Sequence, residues 1–261
     1  MSAFGRGVQV CKGQPAGRAY HGAVPESDRL YFRQLLSGRD FAVTDPIAGQ
    51  MVNFSYLIGD RQRGVALLVD PAYGVGELLD IAAADGMTVV GALVTHHHPD
   101  HVGGSMMGYR IEGIAELLTR QAMPVHAQRH EASLVTRVTG LEASDVIAHD
   151  GGDRVSVGAV EVELLHTPGH TPGSQCFLVD GMLVAGDTLF LEGCGRTDLP
   201  GSDPAAMYES LQRLAALPDS TVIYPGHRYS VPSVATLAAV KDINMVFKPA
   251  TREAWLSMFG R

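Results

Sequence analysis

Short apolar runs that recur along the chain constrain its fold more than any other feature of the sequence. They have the length of β-strands, most are rich in valine, and they end repeatedly in Gly, Pro, Asp or His. The runs are Ser55–Ile58, Val65–Val69, Val89–Val94, Val160–Leu165, Gln175–Val179, Met182–Ala185 and Thr221–Tyr224. Gly64 and Asp180-Gly181 lie where hairpin turns are expected between neighbouring strands. The pattern predicts sheets in which some neighbouring strands are antiparallel.

Segments with helical spacing of apolar residues lie between these runs. Two of them are Gly76–Ala84 and Glu112–Gln121, a third begins at Pro204 with Asp203 as its N-cap, and Val231–Val246 predicts a final helix. We interpret Leu30–Leu36 as a short amphipathic helix. Because helices alternate with hairpins and with longer crossovers, the chain is predicted to form a layered α/β protein.

A run of histidines follows one of the predicted strands, at Val94–His101. If the backbone stays extended past Thr95, side chains alternate, so His96 and His98 share one face and His97 points away from it. Two imidazoles on one face of an extended segment are placed to bind the same ion. The alternative is a surface histidine cluster that binds no metal.

The residues after the run add two more donors. Pro99 is expected to end the strand, so that Asp100 and His101 fold back toward the same point. Three imidazoles and one carboxylate form a donor set suited to a divalent ion such as zinc, iron or manganese. The sequence therefore predicts a metal site at the end of this strand.

Three further polar residues follow predicted strands in the same way. His170 follows Val160–Leu165 through Thr-Pro-Gly, Asp187 follows Met182–Ala185, and His227 follows Thr221–Tyr224 through Pro-Gly. Functional sites of α/β sheets gather at the carboxyl ends of strands, and the preceding glycines permit close turns. One such residue would more often be structural, but four strand ends that carry metal-binding residue types favour one common metal centre.

Taken together, these residues resemble the signature of the metallo-β-lactamase fold superfamily, His-x-His-x-Asp-His followed by a distant His, Asp and His. The resemblance covers about residues 50–229. It implies an α/β fold of four layers (αββα), in which two mixed β-sheets lie face to face with helices outside. It also implies one ion held by His96, His98 and His170, and a second held by Asp100, His101 and His227, with Asp187 bridging both.

The resemblance assigns a supporting role to Asp70, which lies in Leu68-Val69-Asp70-Pro71. It matches a carboxylate of the superfamily that orients metal-binding imidazoles by accepting a hydrogen bond from their other ring nitrogen. Such partners fix the tautomer and the direction of the ligand. The alternative is that Asp70 only caps a turn before Pro71.

The segment after Asp187 contains Gly-Cys-Gly-Arg and resembles the glyoxalase II (hydroxyacylglutathione hydrolase) and persulfide dioxygenase branch. Both groups act on thiol conjugates, so a small thiol-conjugate substrate is implied. Arg196 and Tyr229 match positions that help to hold the thiol carrier, and Arg228 adds a neighbouring cation. The alternative for Arg196 is an ordinary surface ion pair with Asp198.

Two reactions remain open on nearly the same ligands. The first is a metal-dependent hydrolysis of a thioester, such as a hydroxyacyl-thiol conjugate. A hydroxide shared between two divalent ions would attack the thioester, and zinc is the first choice for these ions. Asp100 and Asp187 would be its catalytic carboxylates. The second is persulfide oxygenation at one non-haem iron held by His96, His170 and Asp187. A mixed zinc/iron site is an alternative cofactor, and a metal-binding protein without turnover is a third hypothesis. Leu199-Pro200 replaces the Phe-Gln usual in the dioxygenases and favours hydrolysis.

We divide the chain into three parts. Residues 1–45 are predicted to be an irregular N-terminal arm that contains the short helix, because Gly, Arg, Gln and Pro are scattered there without a period. Residues 46–230 are predicted to form the catalytic domain of the metallo-β-lactamase fold. Residues 231–261 are predicted to be a helical extension packed on the same domain.

Composition limits the class of partner. The chain has 261 residues and a formal net charge of −8, so it gains little from binding nucleic acid or a membrane surface, and neither is expected. The three cysteines are an odd number without paired spacing, which argues against a disulfide framework. No apolar run has the length of a membrane span or of a secretory signal, so we expect a cytoplasmic protein. A homodimer is one assembly compatible with this class.

Overall fold

Two six-stranded sheets form the centre of the structure, a computed structural model that describes residues 29–260. The first sheet has the order β1-β2-β3-β4-β7-β8, from strands β1 (Leu30–Leu36), β2 (Phe54–Asp60), β3 (Val65–Val69), β4 (Thr88–Leu93), β7 (Val125–Gln128) and β8 (Val146–His149). The second has the order β14-β13-β12-β11-β10-β9, from β9 (Arg154–Val157), β10 (Val160–His166), β11 (Gln175–Val179), β12 (Met182–Gly186), β13 (Val222–Pro225) and β14 (Ala235–Thr236). A separate hairpin pairs β5 (Gly104–Met106) with β6 (Tyr109–Ile111).

The eight α-helices of the described residues lie on the outer faces of the sheets. Their ranges are α1 (Pro46–Met51), α2 (Val75–Ala84), α3 (Pro99–Val102), α4 (Ile114–Arg120), α5 (Arg129–Thr139), α6 (Pro204–Ala215), α7 (Leu237–Ile243) and α8 (Arg252–Phe259). The predicted helices at 76–84 and 112–121 are confirmed with small shifts of their ends. Asp203 caps α6 as predicted, since its Oδ1 accepts from the backbone nitrogens of Ala205 and Ala206 at 2.8 and 3.1 Å.

The two sheets pack face to face. Ile58 and Leu93 of the first sheet and Val162 and Phe177 of the second belong to one core between them, and all four are fully buried. Because side chains of a strand alternate, each sheet also presents an apolar outer face. Helices α1, α2, α4 and α5 cover that of the first sheet, and α6, α7 and α8 cover that of the second. The four-layer αββα fold predicted from the sequence is confirmed.

The segment Leu30–Leu36 is a strand, and the prediction of a short helix there is wrong. It pairs antiparallel with β2, from Leu30 opposite Asp60 to Leu36 opposite Phe54. Leu30 and Leu36 face the core between the sheets, whereas Tyr31 faces the outer core. A strand that is covered on both faces shows no alternation of apolar and polar residues, and its sequence is therefore easily mistaken for a helix. Within the predicted arm 1–45, residues Leu30–Leu36 thus form a regular strand, and residues 1–28 lie outside the described residues.

The predicted helix Val231–Val246 is shorter than expected. Residues Ala235–Thr236 form the edge strand β14, and α7 begins only at Leu237, after Thr236 accepts a hydrogen bond from the nitrogen of Ala239 at 3.3 Å. Pro232, near the start of the predicted range, is unfavourable within a helix. The later helix α8 packs against the second sheet through Trp255, which is fully buried and donates to the Val246 carbonyl at 3.0 Å. Within residues 29–260, none of the helices combines the length and hydropathy that a membrane crossing requires.

Candidate metal centre

Connections of both sheets meet at one edge of the structure and bring the predicted donors together. The donors come from the β4–α3 loop and α3, from the loop between β10 and β11, and from the residues that follow β12 and β13: His96, His98, Asp100, His101, His170, Asp187 and His227. As predicted, Pro99 ends the extended segment. It is the first residue of α3, and this single helical turn carries Asp100 and His101 back toward the site.

The first donor set consists of His96, His98 and His170, and three ring nitrogens converge there. His98 Nδ1 lies 3.0 Å from His96 Nε2 and 3.0 Å from His170 Nε2. Nitrogens at this separation can share one ion, because a zinc–nitrogen bond measures about 2.0–2.1 Å. His98 therefore presents its Nδ1 atom to the set, whereas the other two histidines present Nε2.

The second donor set consists of Asp100, His101 and His227. His101 Nε2 lies 3.2 Å from His227 Nε2, and Asp100 Oδ2 lies 3.6 and 3.4 Å from these two nitrogens. All three residues are buried. A carboxylate together with two imidazoles suits the same class of divalent ion as the first set.

Asp187 lies between the two sets. Its Oδ2 is 3.7 Å from His170 Nε2 and 3.4 Å from His227 Nε2, and its Oδ1 is 3.5 Å from His101 Nε2. Among the described residues, no hydrogen-bond donor reaches the buried Oδ1. A buried acceptor without a partner is costly, and a bound cation would satisfy it. The side chains present therefore fit two divalent ions, one in each donor set.

The neighbouring residue Gly226 makes room for this carboxylate. A Cβ atom at position 226 would lie only 2.4 Å from Asp187 Oδ1 and 2.9 Å from the Gly186 carbonyl carbon. Any side chain would displace Asp187 from its place between the donor sets. The φ of Gly226 is not in the left-handed region. Glycine is therefore required before His227 because of the close packing and not because of the backbone conformation.

Hydrogen bonds to Nδ1 orient three of the imidazoles. His170 donates to the Arg196 carbonyl at 2.8 Å, His227 donates to the Met51 carbonyl at 2.8 Å, and His101 donates to Asp70 Oδ2 at 2.9 Å. Because the acceptor oxygens require a proton on Nδ1, each ring directs Nε2 toward the site. Nε2 is therefore the atom that can bind an ion once it carries no proton.

Asp70 reaches both donor sets from the end of β3. Its Oδ1 accepts from the Thr95 nitrogen at 2.8 Å, and its Oδ2 accepts from the Thr95 hydroxyl at 2.6 Å as well as from His101. The Thr95 hydroxyl lies 3.0 Å from His96 Nδ1 and can accept its proton. The structure thus places Asp70 in contact with a donor imidazole, as predicted. The sequence analysis did not recognise Thr95, although it directly precedes His96.

Asn53 contacts the second donor set and was also missed. It is 3% exposed, and its Nδ2 lies 3.1 Å from Asp100 Oδ2 and 3.3 Å from His101 Nε2. The hydroxyl of Tyr73 donates to Asn53 Oδ1 at 3.3 Å, which favours the amide orientation that directs Nδ2 toward Asp100. Nothing in the local sequence distinguishes this asparagine from an ordinary residue before a strand.

The two sets differ in their electrostatics. In the first set, burial and the neighbouring imidazoles hold the pKa of His96 well below its usual value, and burial, followed by His170, lowers the pKa of His98 to about 4. In the second set, burial alone would lower the pKa of His101, but Asp100 and Asp187 raise it to about 10. Burial would raise the pKa of Asp187, yet the nearby histidines, led by His227, lower it overall.

Two of the residues predicted to contact substrate, Arg228 and Tyr229, directly follow His227 of the second set. The ring of Tyr229 is 57% exposed and stacks on His227, with centroids 4.8 Å apart and planes 6° apart. The edge of Phe190 meets Tyr229 at 5.0 Å. Arg228 is exposed, and its backbone nitrogen donates to the Val52 carbonyl at 3.0 Å. The structure therefore brings Tyr229 to the metal centre.

Arg196 has a partner of its own. Its guanidinium donates to both carboxylate oxygens of Asp198, at 2.9 and 2.8 Å, and its side chain is 67% exposed. The surface ion pair considered as an alternative in the sequence analysis is present. The backbone of the same residue contributes to the site, because its carbonyl accepts the hydrogen bond from His170.

The segment that carries Phe190 and Arg196 is fixed by the C-terminal part of the chain. Asn244 is 1% exposed; its Oδ1 accepts from the Gly193 nitrogen at 2.9 Å, and its Nδ2 donates to the Phe190 and Gly193 carbonyls at 3.0 Å. The Thr197 hydroxyl donates to the Phe259 carbonyl at 3.0 Å. These contacts were not predicted, since Asn244 lies about fifty residues away in sequence.

With this geometry established, comparison with known proteins gives the family. A family profile described as Metallo-beta-lactamase superfamily matches residues 48–227, which include both donor sets. The chain belongs to the metallo-β-lactamase superfamily. This assignment agrees with the superfamily resemblance that the sequence analysis drew from the order of the histidines and aspartates.

Individual members of the superfamily are similar over most of the chain. The hydroxyacylglutathione hydrolase of Aeromonas salmonicida is 38% identical over 194 residues, which are 74% of this chain and 67% of that protein. The structure of ETHE1 from Myxococcus xanthus is 29% identical with a TM-score of 0.72, and the match covers 88% of this chain and 90% of that one. TTHA1623, solved in a di-iron-bound form, is 30% identical with a TM-score of 0.60, and the match covers 75% and 95% of the two chains.

Proposed function

We propose that this superfamily member is a metal-dependent hydrolase of thioesters, with a hydroxyacyl-thiol conjugate as its substrate. The observation that carries the proposal is the position of Asp187 between two complete donor sets, with one oxygen near each of His101 and His170. A carboxylate in this position suits two ions held side by side, which is the arrangement used for hydrolytic reactions.

The comparisons support the substrate class. Several relatives with 34–39% identity carry the name hydroxyacylglutathione hydrolase, and they match about three quarters of this chain. TTHA1623 was solved with two iron ions, which supports a pair of ions in a site of this kind. For this chain we propose two divalent ions, zinc in the first place, with one iron or a mixed zinc/iron pair as the alternatives.

Some residues of the site would hold the ions, and others would position the substrate. When bound, the two ions would supply Lewis-acid polarisation of the thioester carbonyl and a water of lowered pKa. Asp187 and Asp100 would hold these ions, and their carboxylates would be the acceptors nearest to the reacting water. Tyr229, stacked on His227, would form one wall of the substrate pocket. A thiolate leaves readily, so no strong general acid is required of the chain.

The alternative is a persulfide dioxygenase with a single ferrous ion on His96, His170 and Asp187. These side chains also lie together, since the His96 and His170 rings are 4.9 Å apart and Asp187 Oδ2 lies 3.7 Å from His170 Nε2. The hydrolase is favoured because relatives with 34–39% identity carry the name hydroxyacylglutathione hydrolase. Leu199-Pro200, in place of the Phe-Gln usual in the dioxygenases, favours it as well.

The decisive experiment combines metal content with two assays. The protein, purified without added metal, is analysed for metal per chain by plasma mass spectrometry. It is then assayed for hydrolysis of the lactoyl thioester of glutathione and of other thiols, and for oxygen uptake with glutathione persulfide. We expect about two ions per chain and hydrolysis without oxygen uptake.

The control for this experiment is His130→Ala, which removes an imidazole outside both donor sets and should change neither metal content nor rate. One iron per chain together with oxygen uptake would replace the hydrolase by the dioxygenase. Two ions per chain with neither activity would favour a metal-binding protein without turnover. The cytoplasmic location and the homodimer remain predictions.

A further inference from the structure

We propose that Glu131 is a positioning residue that ties together the two loops of the first donor set. One loop carries His96 and His98, and the other carries His170. Glu131 belongs to α5 and is fully buried, although it is a charged residue and is no donor of either set. The proposal rests on the proposed metal centre, but its test does not depend on the substrate.

One carboxylate oxygen of Glu131 holds the loop of His96 and His98. Its Oε1 accepts from the backbone nitrogen of His97 at 2.8 Å and lies 2.5 Å from Nδ1 of the same residue. His97 was predicted to point away from the metal face, and the structure agrees. Its imidazole points to α5, so the central histidine of the run anchors the loop rather than binding the ion.

The other oxygen holds the loop of His170. Glu131 Oε2 accepts from the Thr171 hydroxyl at 3.0 Å and from the Gly173 nitrogen at 2.8 Å. The approach is close, because a Cβ atom at position 173 would lie 2.5 Å from the Glu131 nitrogen and 2.6 Å from Oε2. The second loop is thus pressed directly against the carboxylate that holds the first.

The chemistry of the contacts requires a carboxylate. Glu131 receives four donors, two on each oxygen, which saturates the acceptor capacity of an ionised carboxylate. Within residues 29–260, no Lys or Arg forms an ion pair with it. Its ion-pair partner is the His97 imidazole, and burial of a carboxylate without a Lys or Arg partner is costly. A divalent ion at the adjacent donor set is a charge that would offset this cost.

The consequence is confined to one donor set. The separation of His98 Nδ1 and His170 Nε2, 3.0 Å, joins residues from the two loops that Glu131 connects. The second set is supported by other contacts, from Asp70, Asn53 and the Met51 carbonyl. Loss of the Glu131 carboxylate should therefore loosen the first set and leave the second unchanged.

The test is the isosteric variant Glu131→Gln. The shape of the side chain is kept, but an NH₂ group replaces one of the two accepting oxygens. This group cannot accept hydrogen bonds, so at least one loop loses its contacts. Metal-free protein is titrated with Co²⁺ and followed by visible absorption and calorimetry. The binding step that His98→Ala abolishes identifies the first donor set. We expect the affinity of that step to fall roughly 10- to 100-fold, the range for partners that orient ligands, with a changed absorption spectrum and an unaltered second step.

Asp60→Asn is the matched control. Asp60 is also a fully buried carboxylate with several donors, among them Arg29 and the nitrogens of Gln62 and Ala159, but it lies at the far end of β2 from the metal centre. Its loss should lower stability without changing either Co²⁺ step. Thr171→Val serves as a second, milder variant in case Glu131→Gln does not fold, and it should weaken the first step several-fold.

Three results would overturn the proposal. They are unchanged Co²⁺ affinity and spectrum in both Glu131→Gln and Thr171→Val, equal weakening of both binding steps, or a comparable change of the first step in Asp60→Asn. Failure of thioester hydrolysis in the parent protein would contradict the proposed function but would not affect this binding test.

Discussion

The two donor sets lie side by side, yet they are built on different electrostatic principles. The first consists of imidazoles alone, and burial lowers the pKa values of His96 and His98. The second contains Asp100 and lies against Asp70 and Asp187, which together raise the pKa of His101 to about 10 despite its burial. The lowered pKa values favour neutral His96 and His98 in the first set, whereas the second set already holds opposite charges in contact.

This difference in protonation determines whether a proton must be released when an ion binds. Because their pKa values are lowered, His96 and His98 of the first set can accept a cation near neutral pH without releasing a proton. His101 in the second set is protonated at neutral pH, so an ion must displace that proton, and binding there should tighten as the pH rises toward 10. The two sites thus differ in proton linkage although both use histidines as most of their ligands.

The largest effect should come from Asp187→Ala, because this side chain serves both donor sets. We expect loss of most bound metal and a fall of activity to background, measured by metal analysis and by the thioester assay on the same preparation. Folding is checked by circular dichroism. Full metal content with full activity would show that Asp187 does not connect the two sets.

His101→Ala should separate the two sets. It removes the protonated imidazole of the second set and leaves all three ligands of the first set in place. We expect about one ion per chain and a severe loss of hydrolysis, whereas a mononuclear iron enzyme would keep its metal and much of its activity. Metal analysis of the parent and the variant, together with the activity of each, distinguishes these outcomes: a fall from two ions to one with loss of hydrolysis, or an unchanged single iron with activity retained. Loss of both ions would mean that ion binding at one set depends on the other, although different hydrogen bonds orient the two sets.

The smallest effect is expected for Arg196→Ala. The backbone carbonyl of this residue holds His170, but its side chain pairs with Asp198 at the surface. Both metal-binding steps should remain unchanged. If the guanidinium also contacts an anionic substrate, KM should rise about 5-fold, as expected for an exposed charge, and less at high salt. Unchanged kinetics with an acidic thioester would leave Arg196 as a surface charge.

The sequence was sufficient to predict which donor side chains lie together, because they follow the ends of short strands. The alternation of an extended segment separates His97 from His96 and His98, and Pro99 marks the turn that returns Asp100 and His101. The supporting residues were not predictable in the same way. Glu131 lies in the first turn of α5, where the helix dipole favours acidic residues. Its residue type therefore does not indicate a role in the site.

The fold was predicted in outline, and the first strand was assigned wrongly. Short apolar runs agree with their predictions even where every residue is buried, as in β2 and β12, and so does α6 with its N-cap Asp203. The strand Leu30–Leu36 has Arg33 and Gln34 at its centre and contains no valine, so its composition does not mark it as a strand. Helix α8 lies within the extension 231–261 that was predicted to be helical, but its own bounds were not predicted.

Two imidazoles of the donor sets are held by main-chain oxygens, those of Arg196 and Met51. A carbonyl group is present whatever amino acid occupies the position. Descendants of this protein could therefore exchange the side chains at 196 and 51, and with them the surface offered to a substrate, while the ligands stay aligned. Substitutions at these two positions could thus change substrate specificity without changing the orientation of the imidazoles in the donor sets.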